Sequence, residues 1–179
     1  MSPNETSADH ESTAYLLDRL AIADVMARYC RGIDRTDEQL VRSCFTADAT
    51  DQHGSFNGTI DEFIAWAFRL LQKYDSTMHL IANHLAEVVG ENAVAETYGI
   101  AFHRSDDPDP KRNLTVGFRY IDRLVKVNGE WKIAERVATT EWVQAKVAES
   151  HWSIPENSAI GERSHDDAIF RFLEHLHKH

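Results

Sequence analysis

The chain is short of cysteine, proline and glycine, with 2, 4 and 8 of them in 179 residues. Two thiols, Cys30 and Cys44, are too few for a disulfide framework or a cysteine-built zinc site. Cations are also scarce: 19 Lys and Arg stand against 29 Asp and Glu, a formal charge of -10. Phosphate binding is mostly a cation effect, so duplex DNA and anionic membrane surfaces are poor partners for such a chain. No apolar run approaches the roughly 18 residues that span a bilayer. The start, from Met1 to His10, has neither a basic region nor a hydrophobic one, so the expectation is a cytoplasmic protein with reduced thiols. There the sequons at Asn4 and Asn113 carry no meaning. Glycine-rich phosphate loops, dinucleotide fingerprints, Gly-x-Ser-x-Gly elbows and internal repeats are all missing. What is present is ordinary for a soluble globular protein: 42% apolar and 27% charged residues, at a length that suggests one domain.

Hydrophobic spacing divides that domain. Residues 1–12 are polar and expected to be disordered. A helix is predicted over 13–33, with Leu16, Leu20, Ile22, Val25, Met26, Tyr29 and Ile33 on one side, Gly32 weakening the last turn and Asp34 at its end. A short helix over 38–45 turns Leu40, Val41 and Cys44 inward. An extended piece over 49–52 and a turn over 54–58 follow. A third helix spans 59–74, with Thr59 and Glu62 spaced as a capping box and Phe63, Ile64, Ala67, Leu70, Leu71 and Tyr74 as its stripe. The period then changes. Strands are predicted over 77–89, 93–104, 113–127 and 130–143. Asn128-Gly129 marks a hairpin, because a type I′ turn needs positive φ at both positions. Gly90–Asn92 is a second turn, and 105–112, with Pro108 and Pro110, is a loop. Helices first and long strands after argue for α+β, with helices on one face of a curved sheet. Polar residues on the covered face of long strands suggest a pocket. The stretch from residue 154 is polar until Ala168, Ile169, Phe172, Leu173 and Leu176 suggest an amphipathic closing helix. The expected division is a tail over 1–12, a domain over 13–153 and an extension over 154–179.

Few residues can carry chemistry here. His79 opens the first long strand, and period two puts His79, Ile81 and Asn83 on one face and His84 on the other, unless a bulge swaps them. In the next strand Tyr98, Ile100 and Phe102 oppose Gly99, Ala101 and His103, and which set lines a cavity is open. A lone histidine is usually structural, and a carboxylate at a helix end, such as Asp34, is usually a solvated cap. Paired, they differ: a carboxylate that accepts the Nδ1 proton of a buried imidazole fixes its tautomer and raises the basicity of Nε2. The Tyr29 hydroxyl, on the Met26–Ile33 side, can polarise a substrate oxygen. Arg119 and Arg136 lie in strand patterns. Either faces solvent or, if it points inward, must be paired and can stabilise an oxyanion. The histidines at 165, 175, 177 and 179 read as a solvated tail. Trp66, Trp131, Trp142 and Trp152 read as core, cavity wall or interface.

Residues 14–143 resemble the SnoaL-like branch of the superfamily named after nuclear transport factor 2, the NTF2-like proteins. The resembling stretches are 18–24, 28–34, 45–49, Met78-His79, 101–104, 117–123 and 129–136. The resemblance implies an NTF2-like cone: a curved, mixed or antiparallel sheet against about three N-terminal helices, plus a C-terminal helical tail. It implies that Asp34 and His79 are similar to the dyad of scytalone dehydratase, hexachlorocyclohexane dehydrochlorinase and bile acid dehydratase. Tyr29 falls where the bile acid enzyme has an active-site tyrosine, and Arg136 near an arginine of the dehydrochlorinase. Ala101 and Thr140 stand where the bile acid enzyme has an aspartate and an arginine, which separates this chain from bile acid dehydration itself.

The expected function is a lyase that needs no metal and no cofactor and acts on an apolar aromatic or polycyclic small molecule. The step is either dehydratase-type elimination or carbon–carbon cleavage releasing a small aldehyde, as in aromatic compound catabolism. Asp34, His79, Tyr29 and Arg136 are the expected catalytic residues, and Asn83, His103, Arg119, Phe45 and Trp142 the expected substrate contacts. A same-fold isomerase of the steroid type and a non-catalytic small-molecule binding protein are the alternatives. A homo-oligomer is expected, a trimer before a dimer.

Overall fold

The computed structural model describes residues 13–105, 113–145, 162–168 and 170. The expected tail, most of the proline-containing loop, the boundary at 153 and all of the closing helix but Ala168 and Phe170 lie outside the described residues. Helix α1 spans Thr13–Asp34 and α2 Glu38–Ser43. Strands β1 (Phe45–His53) and β2 (Phe56–Thr59) precede α3 (Ile60–Leu71). Four long strands follow: β3 (Ser76–Val89), β4 (Asn92–Arg104), β5 (Leu114–Val127) and β6 (Glu130–Ala145). The sheet order is β2-β1-β6-β5-β4-β3, antiparallel except where β1 runs parallel to β6. No helix among the described residues is long and apolar enough to cross a membrane.

The core lies between the helices and one face of this sheet, with Ile22, Val41, Ile60, Leu124 and Ile133 fully buried in it. Helix α1 enters with the expected face from Ile22 onward, but its first two turns differ. Leu16 and Leu20 are exposed, and the inward row runs Tyr15, Asp18, Ile22, Val25 and Met26, Tyr29, Ile33. Asp18 belongs to that row because Trp131 donates its indole N–H to it at 2.9 Å and Lys126 pairs with it. A polar residue therefore interrupts the hydrophobic stripe, and Leu16 and Leu20, each two residues from it and so on nearly the opposite side of the helix, face out.

Local signals place the ends. Asp37 caps α2 by accepting from Leu40 N–H at 2.9 Å. The Thr59–Glu62 capping box starts α3 as its spacing indicates. Asn128 and Gly129 both have positive φ in the β5–β6 turn. The turn expected over 54–58 is only two residues long, Gly54 (φ 59°) and Ser55, and the remainder pairs as β2. Strand β1 is more than twice as long as expected, because its partner, β6, lies far along the chain. Gly32, although it lowers helix propensity in the last turn of α1, has a packing role. A Cβ there would sit 2.7 Å from Val41 Cγ2, so glycine is what lets α2 press against the end of α1.

Two irregularities decide which strand residues face the helices. The β3–β4 register shifts between Ile81 and His84. Thr77, His79 and Ile81 face inward before the shift, and His84, Ala86 and Val88 after it. His84 thus joins the face of His79, where it meets Thr97 Oγ1 at 2.8 Å, and Asn83 is left exposed. The β5–β6 register shifts twice, between Gly117 and Phe118 and between Arg123 and Leu124. Ile133 and Arg136 are thereby both buried although three residues apart.

Candidate active site

The open end of the layer between helices and sheet holds a cavity of about 350 Å³. Its wall is mainly apolar and aromatic, including Phe63, Trp66, Leu70, Val116, Phe118 and Tyr120. Polar groups enter it at Tyr29, His53, Tyr74, His79, His103, Thr139 and Thr140. A largely apolar hollow with few convergent polar groups is the usual form of a small-molecule site.

Asp34 and His79 meet at its edge. Asp34 ends α1, buried, and β3 passes beside it. Asp34 Oδ2 accepts the His79 backbone N–H at 2.9 Å, and Asp34 Oδ1 lies 2.7 Å from His79 Nδ1. The two contacts fix both the strand and the ring. An ionised carboxylate only accepts, so Nδ1 carries the proton and Nε2 carries the lone pair. The His79 side chain is 8% exposed and lines the cavity. Its ring stands edge-on to Phe118 and to His103, at centroid distances of 6.0 and 5.9 Å.

His103 shares the wall, 4.9 Å from the Tyr74 ring. Burial, reinforced by the neighbouring His79, pushes its imidazole down to about 4, so it is neutral at ordinary pH. Its Nδ1 is buried without a hydrogen-bond partner among the described residues. Tyr29 also lines the cavity, edge-on to Tyr120 at 5.6 Å, and burial holds its hydroxyl protonated well past its ordinary value.

The other expected residues stand elsewhere. Arg136 lies behind the wall, its guanidinium 4.1 Å from the Tyr29 ring centroid and 4.0 Å from that of Tyr120. It donates to Asp122 twice, at 2.7 and 2.9 Å, and to Met26 Sδ at 3.3 Å. Burial alone would discharge it, but Asp122 holds it charged. It braces the two tyrosines from behind and does not line the cavity. Phe45 packs edge-on against Tyr29 at 5.8 Å, also behind the wall. Arg119 faces away from the helices, paired with Glu96 and Glu141 over the Tyr98 ring. Trp142 covers Gly117 on that same outer face and is 46% exposed. Asn83 is exposed at the β3 irregularity. Substrate contact by Asn83, Arg119 and Trp142 is therefore corrected: strand alternation and the register shifts carry them off the cavity face.

The structure also brings in residues that the sequence reading passed over: Tyr120 in mid-β5, and Asp51 with His53 at the end of β1. The two-residue spacing of Asp51 and His53 was the available signal, but it sits in a segment with too few apolar residues to show its alternation.

An α+β cone with an acid-oriented imidazole in an apolar cavity is a scaffold for small-molecule chemistry, and the comparisons agree on the fold. Residues 14–137 match the model of the SnoaL-like domain, and the chain belongs to that family. Solved structures share the NTF2-like architecture. A provisionally assigned scytalone dehydratase from Novosphingobium aromaticivorans superposes with a TM-score of 0.65 at 21% identity, covering 81% of this chain and 97% of its own. Hexachlorocyclohexane dehydrochlorinase LinA-type3 from Novosphingobium barchaimii gives 0.67 at 17%, covering 78% and 97%. The Kfla4162 protein from Kribbella flavida gives 0.66 at 18%, covering 72% and 94%. At these identities the likeness is one of fold. No curated protein matches the sequence.

Proposed function

We propose that the cavity is the active site of a lyase that acts on an apolar ring compound and uses His79 as its base. The observation that carries this reading is the 2.7 Å contact between Asp34 and His79 at the wall of an apolar hollow. Nε2 takes a proton from a substrate carbon. The C–H electron pair becomes the new double bond, and a group on the adjacent carbon departs with its own bonding pair. In elimination that group is a hydroxyl, which takes up the proton that Nε2 has gained and leaves as water, so that the imidazole returns to its starting state. In the carbon–carbon variant, Nε2 takes the proton of a hydroxyl instead, and the O–H pair becomes the carbonyl of a released aldehyde while the C–C pair stays with the ring fragment. Tyr29, which lines the cavity, donates to the oxygen that gains charge. Structural neighbours named as a dehydratase and a dehydrochlorinase support elimination as the reaction class. Chemistry of this kind needs no group beyond the side chains named.

The test is turnover of aromatic diols and steroid-like alcohols, with products identified by mass. Loss of water or of an aldehyde is the expected result. Unchanged mass with a moved double bond would make the protein an isomerase instead. His79→Ala is expected to lower kcat about 10²- to 10⁴-fold, the range of one positioned base. Asp34→Asn, which keeps the shape but no longer holds the Nδ1 proton as a carboxylate does, is expected to lower kcat more than it raises KM. Full activity in His79→Ala would end the proposal.

A further inference from the structure

His53 forms a second histidine–carboxylate pair on the same cavity. It ends β1, stacks on Phe63 of α3 at 5.1 Å and lies 5.9 Å from the Tyr120 ring. Its side chain is 28% exposed, and it lines the cavity with His79. Behind it, Asp51 is fully buried, with Oδ1 3.4 Å from His53 Nδ1. That is too long and too poorly aligned to be a hydrogen bond. His53 Nδ1 and both Asp51 carboxylate oxygens lack any hydrogen-bond partner among the described residues. Arg136 sits opposite Asp51 in the β1–β6 register, but its Nε and Nη2 donate to Asp122 and Met26, and its Nη1 makes no hydrogen bond to Asp51 or to any other group among the described residues.

A carboxylate buried without a hydrogen bond is destabilising, and a core built only for stability would place an apolar residue at position 51. A small rotation of the His53 ring meets the need on one condition: its proton must be on Nδ1, facing Asp51. Nε2 is then an acceptor on the cavity side. A donor supplied there fixes that tautomer and strengthens the Nδ1–H bond to Asp51, because hydrogen bonds in a chain polarise one another.

We propose that His53, backed by Asp51, is a second polar anchor of the cavity, and that its Nε2 accepts the hydroxyl of a ring alcohol or phenol lying between it and His79. This rests on the reading of the cavity as a site for ring compounds and narrows that class to rings that carry a hydroxyl away from the reacting carbon. The apolar walls hold the ring, His79 faces the carbon that changes, and His53 sets which way round the ring enters. His53 is thus a specificity residue.

Equilibrium dialysis of the full chain with naphthalene and 2-naphthol tests it without any need for turnover. In His53→Phe, which keeps the stack on Phe63, 2-naphthol is expected to lose about fivefold or more in affinity, the worth of one hydrogen bond, while naphthalene changes less than about twofold. His79→Gln is expected to change the two affinities by the same factor, because His79 lines the cavity and touches the ring whether or not it carries the hydroxyl. Asp51→Asn, nearly identical in shape, is expected to weaken 2-naphthol alone and decides the matter should His53→Phe not fold. An unchanged ratio of the two affinities in the position-53 and position-51 variants overturns the anchor, as does a loss confined to 2-naphthol in His79→Gln instead. Failure of naphthalene to bind the unaltered protein overturns the ring-binding cavity and the anchor with it. Binding without turnover counts only against the lyase.

Discussion

Two imidazoles sit edge to edge in the cavity, and their surroundings differ in one respect. His79 has a carboxylate on Nδ1, and His103 has an orphaned one. Burial drives His103 down to about 4 against the 6.5 of an unfolded chain. Between those values the unfolded state binds a proton that the folded state refuses. Stability is therefore complete above about pH 6.5 and falls as the pH drops toward 4. The full difference corresponds to roughly 3 kcal/mol. In His103→Phe the part of the acid sensitivity due to this residue is expected to vanish. Urea unfolding of both proteins at pH 4.5 and pH 7 checks it, and the variant should lose less stability between the two. Equal losses would show that His103 is not the group responsible. At this scale the sequence was most readable where residues are tied to element ends: Asp34 closes a helix and His79 opens a strand, so their meeting follows from family spacing. It was least readable in mid-strand. Asn83, Arg119 and Trp142 are residue types able to contact a ligand, and only strand facing separates them from the residues that line the cavity.

Facing is a property of elements, and here it is set by irregularities with no sequence mark strong enough to read. Three long-range register shifts, one in β3–β4 and two in β5–β6, turn alternation over in mid-strand. Helices, capping box and hairpin turns were legible because their signals are local, lying within four residues of each other. The parallel β1–β6 pairing was not, since its partners are more than eighty residues apart and β1 has few apolar residues. The packing role of Gly32 was not legible for the same reason: its neighbour Val41 belongs to another helix. That contact sets how α2 seats against the last turn of α1, two residues from Asp34. Gly32→Ala is expected to improve helix propensity yet destabilise the protein by about 1–3 kcal/mol, because overpacking outweighs the propensity gain of about 1 kcal/mol. It should also lower kcat by tilting the carboxylate away from His79. Adding Val41→Ala makes room for the new methyl and should restore kcat more fully than stability. Chemical unfolding and turnover on the three variants separate the two effects.

Helix layer and sheet are joined through one buried charge pair. Arg136 on β6 and Asp122 on β5 have no solvent exposure, and the guanidinium is packed by Met26 and Tyr29 from α1, Phe45 from β1 and Tyr120 from β5. Four elements therefore converge on one cation, and two of its aromatic neighbours are cavity wall on their other side. The pair need not add stability over an apolar substitute, since desolvating two ions can cost as much as their attraction returns. Losing one partner is different. Arg136→Met leaves Asp122 as an uncompensated buried carboxylate and should cost about 3–5 kcal/mol, a large share of what holds a domain of this size together. Asp122→Leu strands the arginine and should cost about as much. The double variant Arg136→Met with Asp122→Leu removes both charges, and its unfolding midpoint in urea should return most of the way to that of the unaltered protein. Costs that simply add in the double variant would show that the two residues act separately. If the fold recovers but turnover does not, the guanidinium is kept for what it does to the tyrosines: it holds the Tyr29 ring against the cavity from behind, at a position no apolar side chain reproduces. The charge pair then belongs to the site although it never touches the space where substrate would lie.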